Sequence, residues 1–178
     1  ERCVKNNETR HYFDIAVIGY GTEAYSAWNG ALEGRDFVSP EEIRDNPFQK
    51  RLVKEEVRTR KGITVKEVER KQWMTARHDG NWTRMDKALR RAEGLLDNWM
   101  KDHHDKDCYP PTIINITDGE YNGVTDDEML QLSNQLKSMF TNDGNVLFFN
   151  IHIVPGHSES VVFPATAGEL NGNGYGEK

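Results

Sequence analysis

The sequence predicts an α/β fold in which a doubly wound, mainly parallel sheet carries helices on both faces. Three apolar runs of strand length alternate with two segments of helical periodicity. Runs that are apolar almost without interruption are typical of strands covered on both faces, as in parallel sheets. The alternation of strands and helices specifies parallel strands joined by right-handed crossovers. In chain order, the predicted elements span residues 13–21, 83–100, 112–117, 125–140 and 146–153.

The helices are predicted from apolar spacing and from their first residues. Apolar side chains three and four residues apart indicate a helix laid on a sheet. In the first helix they are Met85, Ala88, Leu89, Ala92, Leu95, Leu96 and Trp99. The second helix begins with a capping box, in which Thr125 and Glu128 are three residues apart. A brief helix is also predicted to begin at Ser39 and Pro40 and to end before Pro47.

Length and composition favour a single domain over residues 1–178, because a chain of this size buries one core. The net charge of −6 disfavours a nucleic-acid-binding protein, which needs a basic face. No apolar run approaches the roughly 20 residues that span a bilayer. We therefore expect a soluble protein without a membrane span, and favour the cytoplasm. Cys3 and Cys108 are too few for a disulfide framework.

Residues 49–77 are predicted to be an inserted hairpin. Residues 49–72 contain nine Lys or Arg against four Glu, with valines and threonines between them around Gly62. This pattern has two interpretations: a basic patch for an acidic partner, or a ribbon that is simply solvated. The sequence favours the solvated ribbon, since charge runs usually face water. Residues 165–178 are expected to be a flexible tail or a truncated end.

Two residues are candidate ligands of a metal ion. Asp118 follows the strand predicted over residues 112–117, and ligands of open parallel sheets bind where strands end. A carboxylate there suits a hard cation such as Mg²⁺. Thr83 stands at the start of the first long helix, where its hydroxyl could coordinate a cation or cap the helix.

The segments around these two residues resemble motifs of von Willebrand factor A domains. Residues 79–89, with Gly80, Thr83, Ala88 and Leu89, resemble the Gly-x-Thr-x-x-x-x-Ala-Leu segment of that family. Residues 116–120 are similar to its Thr-Asp-Gly motif. The resemblance covers about residues 10–155, with strands 13–21 and 146–153 similar to the second and fifth strands of the family.

The family's first motif, Asp-x-Ser-x-Ser, does not occur in the sequence. The resemblance places the strand that precedes this motif before Glu1, in the centre of the sheet. We therefore expect the sequence to be a fragment, or the strand to come from other residues.

The resemblance implies a metal-ion-dependent adhesion site with Thr83 and Asp118 as ligands, directly or through water. The ion would be Mg²⁺, or Mn²⁺ or Ca²⁺ in its place, and it would bind an acidic group of a partner protein. Two alternatives stay open: a scaffold that has lost the metal, and a metal-dependent hydrolase that pairs Asp118 with a histidine base. A zinc site in the loop after the first long helix is disfavoured, because adjacent ligands in a flexible loop rarely converge. Its residues would be His103, His104, Asp105, Asp107 and Cys108.

Overall fold

A computed structural model describes residues 3–6, 8–59, 62–77, 80–118, 120–153, 162, 163, 166 and 169. The chain divides into two compact units, Glu1–Asn81 and Trp82–Lys178. Within the described residues, no helix has both the length and the apolar character needed to cross a membrane.

Two short hairpins open the first unit. Strand β1 (Val4–Lys5) pairs antiparallel with β2 (Glu8–Thr9), and β3 (Ile18–Tyr20) pairs antiparallel with β4 (Ala24–Ser26). The strand predicted over residues 13–21 is thus much shorter than expected, and its observed partner is antiparallel. Its earlier part contributes side chains to a core instead of a continuous hydrogen-bonded ladder.

That core consists of Trp28, Leu32 and Val38, which are all buried. Ile15 and Val38 exchange two backbone hydrogen bonds of 2.9 and 3.0 Å, which form an isolated antiparallel bridge. Four partly buried side chains pack against the three core residues: Ile15, Val17, Ile43 and Trp73. The apolar run from residue 13 therefore contributes Ile15 and Val17 to the edge of the core, although Phe13 is exposed and most of the run is not strand.

Helix α1 (Pro40–Asp45) begins as the sequence predicts. The Ser39 hydroxyl accepts a hydrogen bond from the Glu42 amide, and the Glu42 carboxylate accepts one from the Ser39 amide. The backbone hydrogen bond from Ser39 is the largest of the effects that lower the pKa of Glu42 below its usual value. The capping box and the proline in the first turn explain why so short a helix forms here.

Residues 49–72 form an antiparallel hairpin, as predicted. Strands β5 (Gln49–Thr59) and β6 (Gly62–Gln72) pair over their full lengths, with Gln49 opposite Gln72 and Thr59 opposite Gly62. Gly62 has a φ of 123°, which L residues with a side chain rarely adopt. We call residues 49–72 the ribbon arm.

The second unit contains the two long helices and the parallel strands. In chain order its elements are α2 (Met85–Asp102), β7 (Thr112–Thr117), α3 (Asp126–Ser138), β8 (Phe140–Thr141), β9 (Gly144–Asn145) and β10 (Leu147–His152). Strands β7 and β10 are parallel and pair from Thr112 and Leu147 to Thr117 and His152. The strand, helix, strand order predicted for this part of the chain is confirmed.

The described residues contain only part of the doubly wound parallel sheet that the sequence predicts. The described strands form five two-stranded pairs, of which β7–β10 alone is parallel. One face of β7 is buried at Asn115 and Thr117, and the Asn115 amide lies 3.5 Å from the sulfur of Met85 in α2. On the other face Ile114 and Ile116 are more than half exposed. The described residues therefore form a mixed α/β arrangement. Their one parallel strand pair, β7–β10, lies in the second unit.

Candidate cation site after strand β7

Asp118 lies where the sequence places it, immediately after the last residue of β7. Its neighbour Thr117 is buried, and the Thr117 carbonyl accepts a hydrogen bond of 2.8 Å from the Ile153 amide. Asp118 itself is exposed. The strand end is therefore fixed by backbone bonding, while the carboxylate that follows it faces solvent at the carboxyl edge of the parallel pair.

Thr83 precedes α2 and does not cap it. The cap residue is Arg84, and no side chain caps this helix. The Thr83 carbonyl accepts the Met85 amide at 2.9 Å, which starts the chain's turn into the helix. Among the described residues, no hydrogen bond to the Thr83 hydroxyl is found. The helix-capping interpretation of Thr83 is therefore wrong, and its hydroxyl is left for another role.

Asn122 joins the two candidate segments. Its side-chain carbonyl oxygen accepts a hydrogen bond of 2.9 Å from the Thr83 amide. Its own amide donates a bond of 3.1 Å to the Thr83 carbonyl. These two bonds tie the loop that begins with Asp118 to the segment that carries Thr83. The predicted ligands thus lie on two loops that are bonded to each other, although 34 positions separate them in the sequence.

The same two segments also approach each other closely at Gly123 and Arg84. Gly123 has a φ of 75°, and a Cβ atom built on it would lie 2.9 Å from the Arg84 Cδ atom. The Arg84 guanidinium is itself fixed by two hydrogen bonds to the Asp86 carboxylate, of 2.8 and 2.7 Å. Asp86 is 5% exposed, and the bond from Arg84 keeps its pKa below the usual value. The positive φ at 123 and the closeness of the Arg84 side chain both favour glycine at this position.

The loop after β7 and the first turn of α3 are rich in carboxylates. Thr125 and Glu128 form the predicted capping box, with the Glu128 amide donating to the Thr125 hydroxyl and the Thr125 amide to the Glu128 carboxylate. The Tyr121 hydroxyl donates a bond of 2.6 Å to Asp126, which raises the pKa of Tyr121 to about 12. The surrounding carboxylates make the local potential negative, which favours a cation.

The donor chemistry at the two candidates fits a hard divalent cation. A carboxylate oxygen and a hydroxyl oxygen are ligands that Mg²⁺ accepts, and the ion keeps several waters when the protein supplies few ligands. In the part of the chain that the structure describes, no three His, Cys, Asp or Glu side chains are grouped as a metal site. The fit therefore rests on one carboxylate, Asp118, and one hydroxyl, Thr83.

The other candidate residues are used elsewhere or lie outside the described part. The His103 ring stacks on Trp99 with centroids 4.1 Å apart, and its Nδ1 atom lies 2.8 Å from the Trp99 carbonyl oxygen. The His104 Nδ1 atom lies 2.8 Å from the Lys101 carbonyl oxygen. These contacts tie both rings to the end of α2. Three residues of the predicted motifs and of the region after β10 lie outside the described residues: Asp79, Gly119 and His157.

Asn122 is the site residue that sequence reasoning misses. The adjacent Asn122 and Gly123 signal a turn, and the loop after β7 bends at residues 123 and 124. Nothing in that signal points to Thr83 as the partner. The pairing follows only once the loops are placed in space.

Comparison with models of protein families, with curated proteins and with solved structures finds no match. The geometry of the site and the motif resemblance are therefore the basis for assigning a function to this chain.

Proposed function

We propose that this chain is a von Willebrand factor A-like protein-binding module with a doubly wound, mainly parallel sheet. A divalent cation at the carboxyl edge of that sheet engages an acidic group of a partner protein. The observation that carries the proposal is the pair of hydrogen bonds between Asn122 and Thr83. These bonds join the two segments in which the motif resemblance places the ligands.

In the proposed site, Asp118 supplies a carboxylate oxygen and Thr83 a hydroxyl oxygen. The cation is Mg²⁺, with Mn²⁺ or Ca²⁺ as substitutes, because all three prefer oxygen ligands. An incompletely coordinated divalent ion is a strong local positive charge, so it attracts a partner carboxylate to an otherwise acidic surface. The protein's own role is to hold two ligands on bonded loops and to leave further positions accessible.

A second candidate is a metal-free scaffold of the same fold. Its support is that the candidate site offers a single carboxylate, that of Asp118. In that case the Asn122 bonds would serve the fold alone. The two candidates differ in whether the protein binds a divalent cation at Asp118.

Calorimetric titration of the full chain with MgCl₂ and MnCl₂ separates these candidates. We expect saturable binding that Asp118→Asn weakens by about tenfold or more, because one charged ligand is lost. Asp143→Asn is the matched control, since it makes the same change in an exposed turn between β8 and β9. Thr83→Ser should retain binding and Thr83→Val should weaken it. An unresponsive parent protein, or equal binding by Asp118→Asn, would favour the scaffold.

A further inference from the structure

The ribbon arm concentrates the positive charge of the chain. It holds nine of the 23 Lys and Arg residues but only four of the 29 Asp and Glu residues. The chain as a whole carries a net charge of −6. An acidic molecule that the rest of the chain repels would therefore be attracted to this one element.

One face of the arm is open to solvent, while the other includes the partly buried Val53, Val57 and Val68. Strands β5 and β6 pair only with each other among the described strands. An isolated two-stranded hairpin is marginally stable in water, because it buries little apolar surface. The arm contributes no residue to the buried core of the first unit, which consists of Trp28, Leu32 and Val38. Core formation thus does not explain why the chain contains two strands of this length.

The base of the arm is nevertheless fixed at both ends. Trp73 follows β6, packs against the core, and donates its indole N–H to the Ile43 carbonyl at 2.6 Å. The Asn29 amide donates to the Trp73 carbonyl at 3.0 Å. At the other end, Phe48 lies over Gly30, where an added Cβ atom would be 3.1 Å from the Phe48 ring. An exposed element held at both ends is preordered, which reduces the entropy lost on binding.

One face of the arm combines cations with exposed apolar side chains. Alternation along the strands and the observed register place Lys54 and Arg58 on the same face as Lys71. The same face carries the three most exposed apolar residues of the arm: Leu52, Ile63 and Val65. In the described part of the chain, no ion pair engages Lys54 or Arg58, while Lys71 interacts electrostatically with Asp45. This face therefore offers both free cations and apolar contact area.

We propose that the ribbon arm is a docking surface for an acidic surface of another protein, distinct from the cation site. A protein fits better than a nucleic acid for two reasons. Glu56, Glu67 and Glu69 lie on the same face and would repel a continuous phosphate backbone. Residues 49–72 contain no aromatic side chain on which bases could stack. A mixed surface of cations, apolar residues and carboxylates matches the composition of protein interfaces.

Fluorescence anisotropy with a labelled peptide of alternating Glu and Leu residues, which offers both carboxylates and apolar side chains, tests the proposal on the full chain. EDTA is present throughout, so a failure of the cation site leaves the result unaffected. We expect salt-sensitive binding that the triple variant K54Q/R58Q/K71Q weakens about tenfold, since each exposed charge pair contributes a modest factor. The control variant K101Q/K106Q/K137Q removes the same charge from exposed positions of the second unit and should bind as the parent does. Circular dichroism verifies the fold, and K54Q/R58Q replaces the triple variant if that variant unfolds.

The remaining outcomes overturn the proposal. Equal binding by the arm variant and the parent would show that the arm is not the docking surface. Tighter arm-dependent binding to a DNA duplex or to anionic phosphatidylserine vesicles would assign the arm to a different partner. Salt-sensitive self-association that the arm variant abolishes would identify a second copy of the chain as the occupant.

Discussion

Asn122 and the Thr83 backbone exchange two hydrogen bonds, one through the Asn122 side chain and one through its backbone amide, between loops that are far apart in the sequence. The Thr83 amide donates to the Asn122 side chain at 2.9 Å, and the Asn122 amide donates to the Thr83 carbonyl at 3.1 Å. Both residues are partly buried. The segment before α2 and the loop after β7 therefore form one unit, and a change in either loop is expected to alter the other.

Asn122→Ala should weaken the contact between the segment before α2 and the loop after β7. It removes the acceptor of the Thr83 amide but keeps the backbone bond in the other direction. We expect a loss of about 1–2 kcal/mol in the free energy of unfolding, as for one partly buried hydrogen bond. Urea denaturation measures this loss, and amide hydrogen exchange at Thr83 should become faster.

The control for this variant is Asn122→Asp, which keeps an oxygen acceptor at the same place. Its Thr83 amide should stay protected, whereas that of Asn122→Ala should not. Both measurements are made without added metal, so they report on the loop contact independently of the proposed cation. Equal protection in Asn122→Ala and the parent would show that the side-chain bond does not hold the loops together.

Gly123→Ala and Gly94→Ala should change stability in opposite directions. At 123 the φ of 75° strains any residue with a Cβ atom, and that atom would meet the Arg84 side chain. We expect a loss of about 1–2 kcal/mol, because the left-handed conformation alone costs roughly 1 kcal/mol for alanine. Gly94 lies inside α2, and nothing lies within 4 Å of its added Cβ atom. There alanine should stabilise by about 0.5–1 kcal/mol, as in other helix interiors.

Thermal and urea unfolding of both glycine variants decide this prediction. The two substitutions are chemically identical, so any general effect of adding a methyl group cancels in the comparison. A Gly123→Ala protein as stable as the parent would mean that the loop after β7 can move away from Arg84 at little cost.

The helices of the second unit are predictable from the sequence because their signals are local. The apolar spacing predicts 83–100 and the structure gives Met85–Asp102, while the capping box at Thr125 sets the start of α3. The strand predicted over 112–117 matches β7. Each of these elements is specified by residues within one or two turns of one another, or by a single apolar run between polar ends.

The region around residue 13 shows what local signals leave out. Its apolar run predicts one long strand, yet Ile15 forms only a single bridge to Val38, and β3 begins at Ile18. A strand needs a partner along its length, and the partner is not encoded in the run itself. The Asn122 contact with Thr83 has the same origin, because it joins loops that only the folded chain brings together. Asp118, in contrast, can be selected as a candidate ligand from the sequence alone, because the apolar run that predicts the strand before it is local.

The ion pair between Arg84 and the buried Asp86 should make stability depend on acid pH. The hydrogen bond from Arg84 is the main effect that lowers the pKa of Asp86 in the folded protein, against the opposing effect of burial. A carboxyl group with a lower pKa when folded stabilises the protein at pH values above its usual pKa of 3.8. That contribution is lost as the pH falls through the folded value. Urea unfolding from neutral pH down to about pH 3 should show this decrease.

Asp86→Asn should flatten this dependence in the acid range. It should also lower stability at neutral pH by about 1–3 kcal/mol, since a charged hydrogen-bond partner of Arg84 is removed. The control is Asp105→Asn in the exposed loop after α2, which should keep the slope of the parent. The same slope in Asp86→Asn and the parent would show that other carboxyl groups govern the acid response. The ion pair beneath Gly123 would then contribute to the position of the loop and not to the pH dependence of folding.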